Sequence, residues 1–214
     1  TDFINGAVPG DVRIVDQLTE DSNGDGTLDS GDGVIDEKDR TFLGNPNPDF
    51  VYGFNLNFKL KGFTADFLFN GVFGNDIANG NLIKLNNAEG LATNISPNAY
   101  NNAWRPEAQS NTYPRLGYDV TAYQAIGITD RIIEDGSFLR LNNVTISYDI
   151  PVEKSLLMDR VNVYIAGKNL VTWTDYSGYN PEVSSFLNNG LINGVDWNGP
   201  RNAKTILLGL NINF

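Results

Sequence analysis

Five runs of this chain alternate apolar and polar side chains with a period of two, and each is long for a strand. Phe50, Tyr52, Phe54, Leu56, Phe58 and Leu60 share one face, opposite Val51, Gly53, Asn55, Asn57 and Lys59. Lys61-Gly62 offers a tight turn, after which Phe63, Ala65, Phe67, Phe69, Gly71 and Phe73 alternate with Thr64, Asp66, Leu68, Asn70 and Val72. A third run sets Val144, Ile146, Tyr148 and Ile150 against Thr145, Ser147 and Asp149, and it stops at Pro151. Leu139 and Leu141 have the opposite parity, which calls for a bulge near Asn142-Asn143. The fourth run carries Val161, Val163, Ile165 and Gly167 on one face, and the last carries Ile206, Leu208, Leu210, Ile212 and Phe214. The expected strands are 50–60, 63–73, 139–150, 161–173 and 203–214, antiparallel and in sequential order.

Alternation of this kind fits two architectures. One is a soluble sandwich with a face in a core and a face in water. The other is a transmembrane β-barrel, whose strands need only about 9–11 residues each. Three features favour the barrel: the strands are long, their apolar faces carry almost no charge, and short connections (61–62 and 151–160) alternate with very long ones (74–137 and 174–202). Short turns at one rim and long loops at the other mark outer-membrane barrels. Five strands cannot close one, so the chain is expected to be an arc of something larger. A short helix is expected around 80–92 within the first long connection.

The residue inventory narrows the chemistry. The 214 residues contain no Cys and no His, which removes disulfides, Cys/His zinc sites, cysteine nucleophiles and histidine-dependent triads. A formal net charge of −11 argues against a nucleic-acid partner, because affinity for phosphate backbones comes from Lys and Arg. Glu134-Asp135 is no glycosidase pair, since neighbours on an extended chain point to opposite sides, and it reads as a turn. Nothing in the sequence assembles a catalytic constellation, and the expected protein is not an enzyme.

Acidity concentrates in residues 1–49, which hold 12 acidic and 3 basic side chains. Within them, Asp21, Asn23, Asp25, Gly26, Thr27, Leu28, Asp29 and Asp32 follow the spacing of an EF-hand calcium loop. Asp21, Asn23 and Asp25 would supply side-chain oxygens and Thr27 its carbonyl. Asp29 would bind directly or through water, and Asp32 would close the shell where Glu is usual. Hard oxygen donors without His or Cys suit Ca2+ in a structural role. An offset half-motif, Asp32-Gly33-Val34-Ile35-Asp36 with Asp39, repeats the later positions. The alternative is a solvated acidic loop.

Trp104, Arg105, Tyr113, Tyr118, Tyr123, Tyr176, Tyr179 and Trp197 cluster in the two long connections. Aromatics interleaved with Asn and Asp suit stacking on sugar rings or gripping a peptide, and equally suit loop packing and interfacial belts. Trp104, Arg105, Tyr113, Tyr176, Tyr179 and Trp197 are the candidate contacts to a substrate or a lid.

Several ordered stretches resemble the C-terminal portion of the SusC/RagA family of TonB-dependent outer-membrane transporters: PGDVR at 9–13, GNPNPDFVYGFNLNFKLKGF at 44–63, NGVFGNDI at 70–77, EDGSFLRLNNVTISYDIP at 134–151, VYIAGKNLVTWTDYSGYNPEV at 163–183 and LGLNINF at 208–214. The resemblance implies an all-β fold, in which the five runs are the last strands of a plugged barrel of about 22. It implies that 1–49, 74–137 and 174–202 are extracellular loops, and that 61–62 and 151–160 are periplasmic turns. It further implies import of nutrient oligomers, glycans or peptides, powered through TonB by a region outside this chain. A SusD-like surface lipoprotein would serve as lid, the remaining barrel and plug as intramolecular partners, and outer-membrane lipid as surroundings. The competing reading is a soluble secreted, calcium-stabilised β-domain for carbohydrate binding or adhesion.

Overall fold

The computed structural model describes residues 8–86, 94–116, 128–152, 158–185 and 192–214. Among the described residues, ten strands and two short α-helices follow one another: β1 (Phe50–Leu60), β2 (Phe63–Phe73), β3 (Asp76–Asn79), α1 (Asn81–Asn86), α2 (Pro97–Asn102), β4 (Ala103–Trp104), β5 (Tyr113–Arg115), β6 (Ile133–Asp135), β7 (Phe138–Ile150), β8 (Arg160–Thr174), β9 (Val195–Asp196) and β10 (Thr205–Asn213). Two compact units result, one formed by 1–43 with 79–133 and the other by 44–78 with 134–214.

The second unit is built on a five-stranded sheet in the order β1-β2-β7-β8-β10, with every pair antiparallel. The expected boundaries hold to within two residues at each strand end. Lys61 and Gly62, at φ 46° and 87°, close the β1–β2 hairpin. Both central residues thus have positive φ, as a type I′ turn requires to match the strand twist. The expected bulge is also present: Leu68 pairs with Asn143 and Phe69 with Leu141, leaving Asn142 outside the register. On the other side of β7, Asn143 faces Lys168 while Leu141 faces Val171, so β8 carries extra residues at the same height. Asn169 takes up its local turn in the left-handed region, at φ 52°.

Register sorts the side chains into two faces, because directly paired residues lie on the same side of a sheet. One row runs Phe58, Ala65, Ile146, Ile165 and Leu208, and the next Leu60, Phe63, Tyr148, Val163 and Leu210. Phe54 stacks on Phe69 at 4.7 Å between ring centroids, Phe50 on Phe73 at 5.1 Å, and Phe63 meets Tyr148 at 4.4 Å. The opposite face carries Asn55, Asn57, Lys59, Asp66, Asn143, Thr145, Asn162 and Lys168. On that polar face Tyr164 lies across Gly209, where an added Cβ would come within 2.1 Å of the ring.

The apolar face has no second layer among the described residues. Phe58 is 59% exposed, Leu208 76% and Ile206 71%. A soluble protein rarely leaves so continuous a patch in water. The few buried apolar residues lie elsewhere: Ile77, Phe138 and Tyr176 in this unit, Ala99, Ala103 and Ile132 in the other. From Phe50 to Leu60 a strand rises roughly 34 Å, or about 26 Å along the membrane normal at a tilt of about 40°. That matches the apolar band of an outer-membrane barrel, about 25 Å tall.

The described parts of the connections carry more secondary structure than the sequence suggests. The segment 74–137 contains β3, both helices, β4, β5 and β6, and Glu134 and Asp135 belong to β6 rather than to a turn. The strands β6, β3 and β9 make a three-stranded sheet with β3 at the centre. Asn45 and Asp76 exchange hydrogen bonds, from Asn45 N–H to the Asp76 carboxylate at 2.7 Å and from Asp76 N–H to the Asn45 carbonyl at 2.8 Å. The GNPNP segment is thereby fixed beside β3. Helix α1 covers the early part of the expected 80–92 helix; residues 87–92 of that expectation, 153–157 of the second short turn, and Tyr118 and Tyr123 lie outside the described residues.

Candidate functional site

The acidic loop in the first unit folds on its own backbone. The Asp21 carboxylate accepts from the N–H groups of Gly24 at 2.7 Å, Asp25 at 3.2 Å and Gly26 at 2.7 Å. Gly26 stands at φ 87°, the conformation in which glycine avoids the penalty paid by residues with a Cβ. Asn23 Oδ1 accepts from Asp25 N–H, and Asp25 Oδ1 accepts from Thr27 N–H at 2.8 Å. Asp29 binds the amide and hydroxyl of Ser22, at 2.8 and 2.9 Å. Asp32 accepts from Val34 N–H and pairs with Lys38 Nζ at 2.9 Å. Lys38 sits in a single turn, Glu37–Asp39, capped by Asp36. Among the described residues, no three acidic side chains converge as a metal-holding group.

These contacts favour the charged forms. Hydrogen bonds from the loop, the Gly26 amide foremost, hold Asp21 below the usual carboxylate range. The Thr27 amide does the same for Asp25, and the Ser22 amide for Asp29. For Asp32 the cause is chiefly the hydrogen bond from Lys38, whose own pKa rises in return.

Three of the aromatic-loop candidates lie in the first unit. Trp104 packs on Gly10, where an added Cβ would come within 2.4 Å of the indole, and the neighbouring Arg115 Nε donates to Asp11 at 2.5 Å. Tyr113 accepts from Asn98 Nδ2 at 2.9 Å. Arg105 is exposed, with its guanidinium 5.8 Å from the Tyr100 ring. The segment is thus a packed substructure that leaves Arg105 outward.

The other three belong to the loop after β8. Tyr179 is 66% exposed, with Arg201 stacked 3.7 Å from its ring centroid, and Trp197 is 44% exposed. Ser185 bridges to Trp197, accepting from its N–H at 2.6 Å and donating to its carbonyl at 3.2 Å. Tyr176 departs from the expectation. It is 5% exposed and donates its hydroxyl to Asp196 at 2.6 Å, while Asp196 also accepts from Gly199 N–H at 2.9 Å. Its ring therefore holds the loop together instead of offering a surface. Burial first, and then the bond to Asp196, push its phenol well above the ordinary tyrosine value.

A residue that the sequence reading passed over organises the base of this loop. Arg140 is 4% exposed and donates to Thr172 Oγ1 at 2.9 Å, to Asn180 Oδ1 at 2.9 Å and to the Glu182 carboxylate. Its guanidinium lies 4.9 Å from the Phe138 ring centroid. A lone Arg between Leu139 and Leu141, in a strand otherwise free of cations, is the signal that could have found it.

No family model matches the chain. Curated relatives do. TonB-dependent receptor P3 of Formosa agariphila is 33% identical over 208 residues, covering 92% of this chain and 20% of the relative. Receptor P26 of the same organism is 34% identical, covering 87% and 19%. TonB-dependent receptor SusC of Bacteroides thetaiotaomicron is 29% identical, covering 94% and 18%. Among solved structures, the RagAB peptide importer in its open-open state superposes with a TM-score of 0.65 at 26% identity, covering 78% of this chain and 17% of that one. A structure of the RagAB peptide transporter gives 0.63 at 27%, covering 77% and 17%. The chain thus spans about a fifth of the length of the curated relatives it matches. Long alternating strands, an uncovered apolar face and these likenesses agree: over most of its length the chain is similar to TonB-dependent receptors, SusC among them, and it folds as an arc of a transmembrane β-barrel like that of the RagAB importer.

Proposed function

We propose that this chain forms one wall, and part of the outer mouth, of an outer-membrane channel that imports nutrient oligomers. The observation that carries the reading is the five-stranded arc, whose continuous apolar face is left uncovered while its other face is lined with Asn, Thr, Lys and Asp. Such a sheet suits lipid on one side and a wet lumen on the other. In this reading 61–62 and 151–159 are periplasmic turns, the long connections face outward, and the free edges of β1 and β10 pair with further strands, because an unpaired edge is untenable in hydrocarbon.

The channel would draw energy through TonB from a region outside this chain and would break no bond. A SusD-like lipoprotein would close over the long loops. The cargo class is a glycan or a peptide oligomer. The relatives are receptors, and one solved neighbour is named a peptide importer, which makes peptides one arm of the test. The experiment is uptake by cells expressing the complete protein, given labelled oligosaccharides or labelled peptides, with and without TonB. TonB-dependent accumulation of either supports the reading. TonB-independent behaviour in both arms, together with recovery of the protein in the soluble fraction, favours a secreted calcium-stabilised β-domain.

The acidic loop is proposed to hold one structural Ca2+ through Asp21, Asn23, Asp25, the Thr27 carbonyl, Asp29 and Asp32. The spacing supports this, as does the turn in which Asp21 gathers three amides around Gly26. The ion would bring negative charge together at a site where Lys38 now neutralises Asp32. Calcium titration with protection of the 16–39 segment from proteolysis as readout tests it.

A further inference from the structure

We propose that Arg140 is a latch that pins Asn180–Glu182 to the polar face of the strand arc, so that the loop after β8 is a fixed part of the pore wall instead of a free flap. The inference rests on the barrel reading, which makes that face the lumen.

Strand parity decides which face Arg140 occupies. Below the bulge, Val144, Ile146, Tyr148 and Ile150 share the apolar face. An uninterrupted strand would place Arg140 with them, a charge aimed at lipid. The extra residue Asn142 reverses the alternation, so Arg140 instead pairs in register with Asn70 and Thr172 on the polar side. The bulge thus converts an unacceptable position into an interior one.

Once inside, the guanidinium serves three directions at once. Its Nε reaches Thr172 on the adjacent strand at 2.9 Å, its Nη2 reaches Asn180 Oδ1 at 2.9 Å, and its Nη1 meets the Glu182 carboxylate. The planar fork fits this arrangement, whereas a lysine ammonium cannot present donors along the same three lines. Asn180 Oδ1 spreads the grip, because it also accepts from Glu182 N–H and from Asn202 Nδ2, each at 3.2 Å. One oxygen thereby ties the outgoing and returning limbs of the loop to one arginine. Pro181 between them is buried. With only 4% of its surface exposed, Arg140 has no room to meet cargo itself, and its charge depends on the loop for neutralisation.

The test uses the complete protein in outer-membrane vesicles. A single reporter, Ser184→Cys, is introduced into a chain segment that contains no native cysteine. The reporter is labelled with a membrane-impermeant maleimide in the wild-type background and in Glu182→Gln, Arg140→Lys and Arg140→Gln. Heat-modifiable migration on gels reports the barrel separately. The latch predicts labelling on the order of tenfold faster in Glu182→Gln and Arg140→Lys, the effect expected from losing one charge-assisted hydrogen bond, with heat modifiability retained. Unchanged labelling in both, with intact barrels, overturns it. Loss of the barrel in Glu182→Gln, which alters no strand residue, also overturns it and assigns the pair to barrel assembly. If Arg140→Gln alone fails to assemble, the other two variants decide. A wild-type protein lacking heat-modifiable migration rejects the barrel reading itself, and the latch's place in a pore with it.

Discussion

Ile146 and Ile165 stand directly opposite each other across β7 and β8, and each leaves 44% of its surface uncovered. In a water-soluble sheet, a central cross-strand pair of β-branched residues would be the heart of a core. Here the row continues to Leu208, still without a covering layer. Lipid is the environment in which that row is stabilising instead of a liability.

A charge in this row should therefore be costly, and one on the opposite face should not. Ile165→Lys is expected to lower the folding stability of the complete barrel in lipid vesicles by about 2–4 kcal/mol if it lies near the midplane. Thr145→Lys, on the polar face, is expected to change it by less than about 1 kcal/mol. Urea-dependent folding of the two variants side by side measures the contrast, and equal costs would reject the facial assignment.

The hairpin turn makes a second, local test. Lys61 and Gly62 both hold positive φ, and a Cβ on Gly62 would sit 3.2 Å from the Asp149 carbonyl oxygen. Gly62→Val should destabilise the barrel by about 1–2 kcal/mol, the cost of forcing a side chain into the left-handed region. Slower folding with the same topology is the expected phenotype. An unchanged stability would show that the turn relaxes to another type.

Strand positions, hairpin and bulge were all legible in the sequence because each is written in parity: six alternating aromatics and aliphatics from Phe50 to Leu60, and a break in phase between Leu141 and Val144. The loop contacts were not. Nothing local tells that Tyr176, in a Gly- and Asn-rich segment, is buried against Asp196, or that Arg140 reaches Glu182; both partnerships depend on how a long loop folds back. Short elements such as β3 and β9 escaped for the same reason, since two to four residues carry no period and owe their form to their neighbours. In the acidic loop the EF-hand-like spacing was readable, but the claim of Lys38 on Asp32 was not.

Tyr176 yields a pH prediction. Its folded-state pKa is raised above the ordinary 10.0, so the protonated phenol is favoured by folding. Its contribution is complete below about pH 10 and declines as the pH rises above that, when the unfolded tyrosine ionises and the folded one resists. The 174–202 loop should become more protease-sensitive in that window. Tyr176→Phe should remove the alkaline dependence, at a cost of about 1–3 kcal/mol to loop stability at neutral pH from the stranded Asp196 carboxylate. Persistence of the same alkaline transition in the phenylalanine variant would point to another group.

Lys38 and calcium should compete for Asp32. Lys38→Ala is expected to tighten calcium binding, and Asp21→Ala to abolish it, as read by isothermal titration on the complete protein. Because Asp21, Asp25, Asp29 and Asp32 all have lowered pKa values, the charged loop is stabilised above the ordinary aspartate value of 3.8 and loses that stabilisation as the pH falls below it. Acid should therefore open the loop and expel calcium together. Identical calcium affinity in Lys38→Ala and wild type would count against Asp32 as a ligand.

The lipid-facing arc is tested most directly by a residue-by-residue environment scan along β8. Single cysteines from 161 to 168 in the complete protein, spin-labelled and reconstituted in lipid, report access to lipid-soluble oxygen against a water-soluble nickel reagent. A period of two is expected, with oxygen access highest at Val161, Val163 and Ile165, and aqueous access highest at Asn162, Tyr164 and Lys168. A uniform aqueous profile, or one in which Ile165 is shielded from both reagents in a protein core, would contradict it.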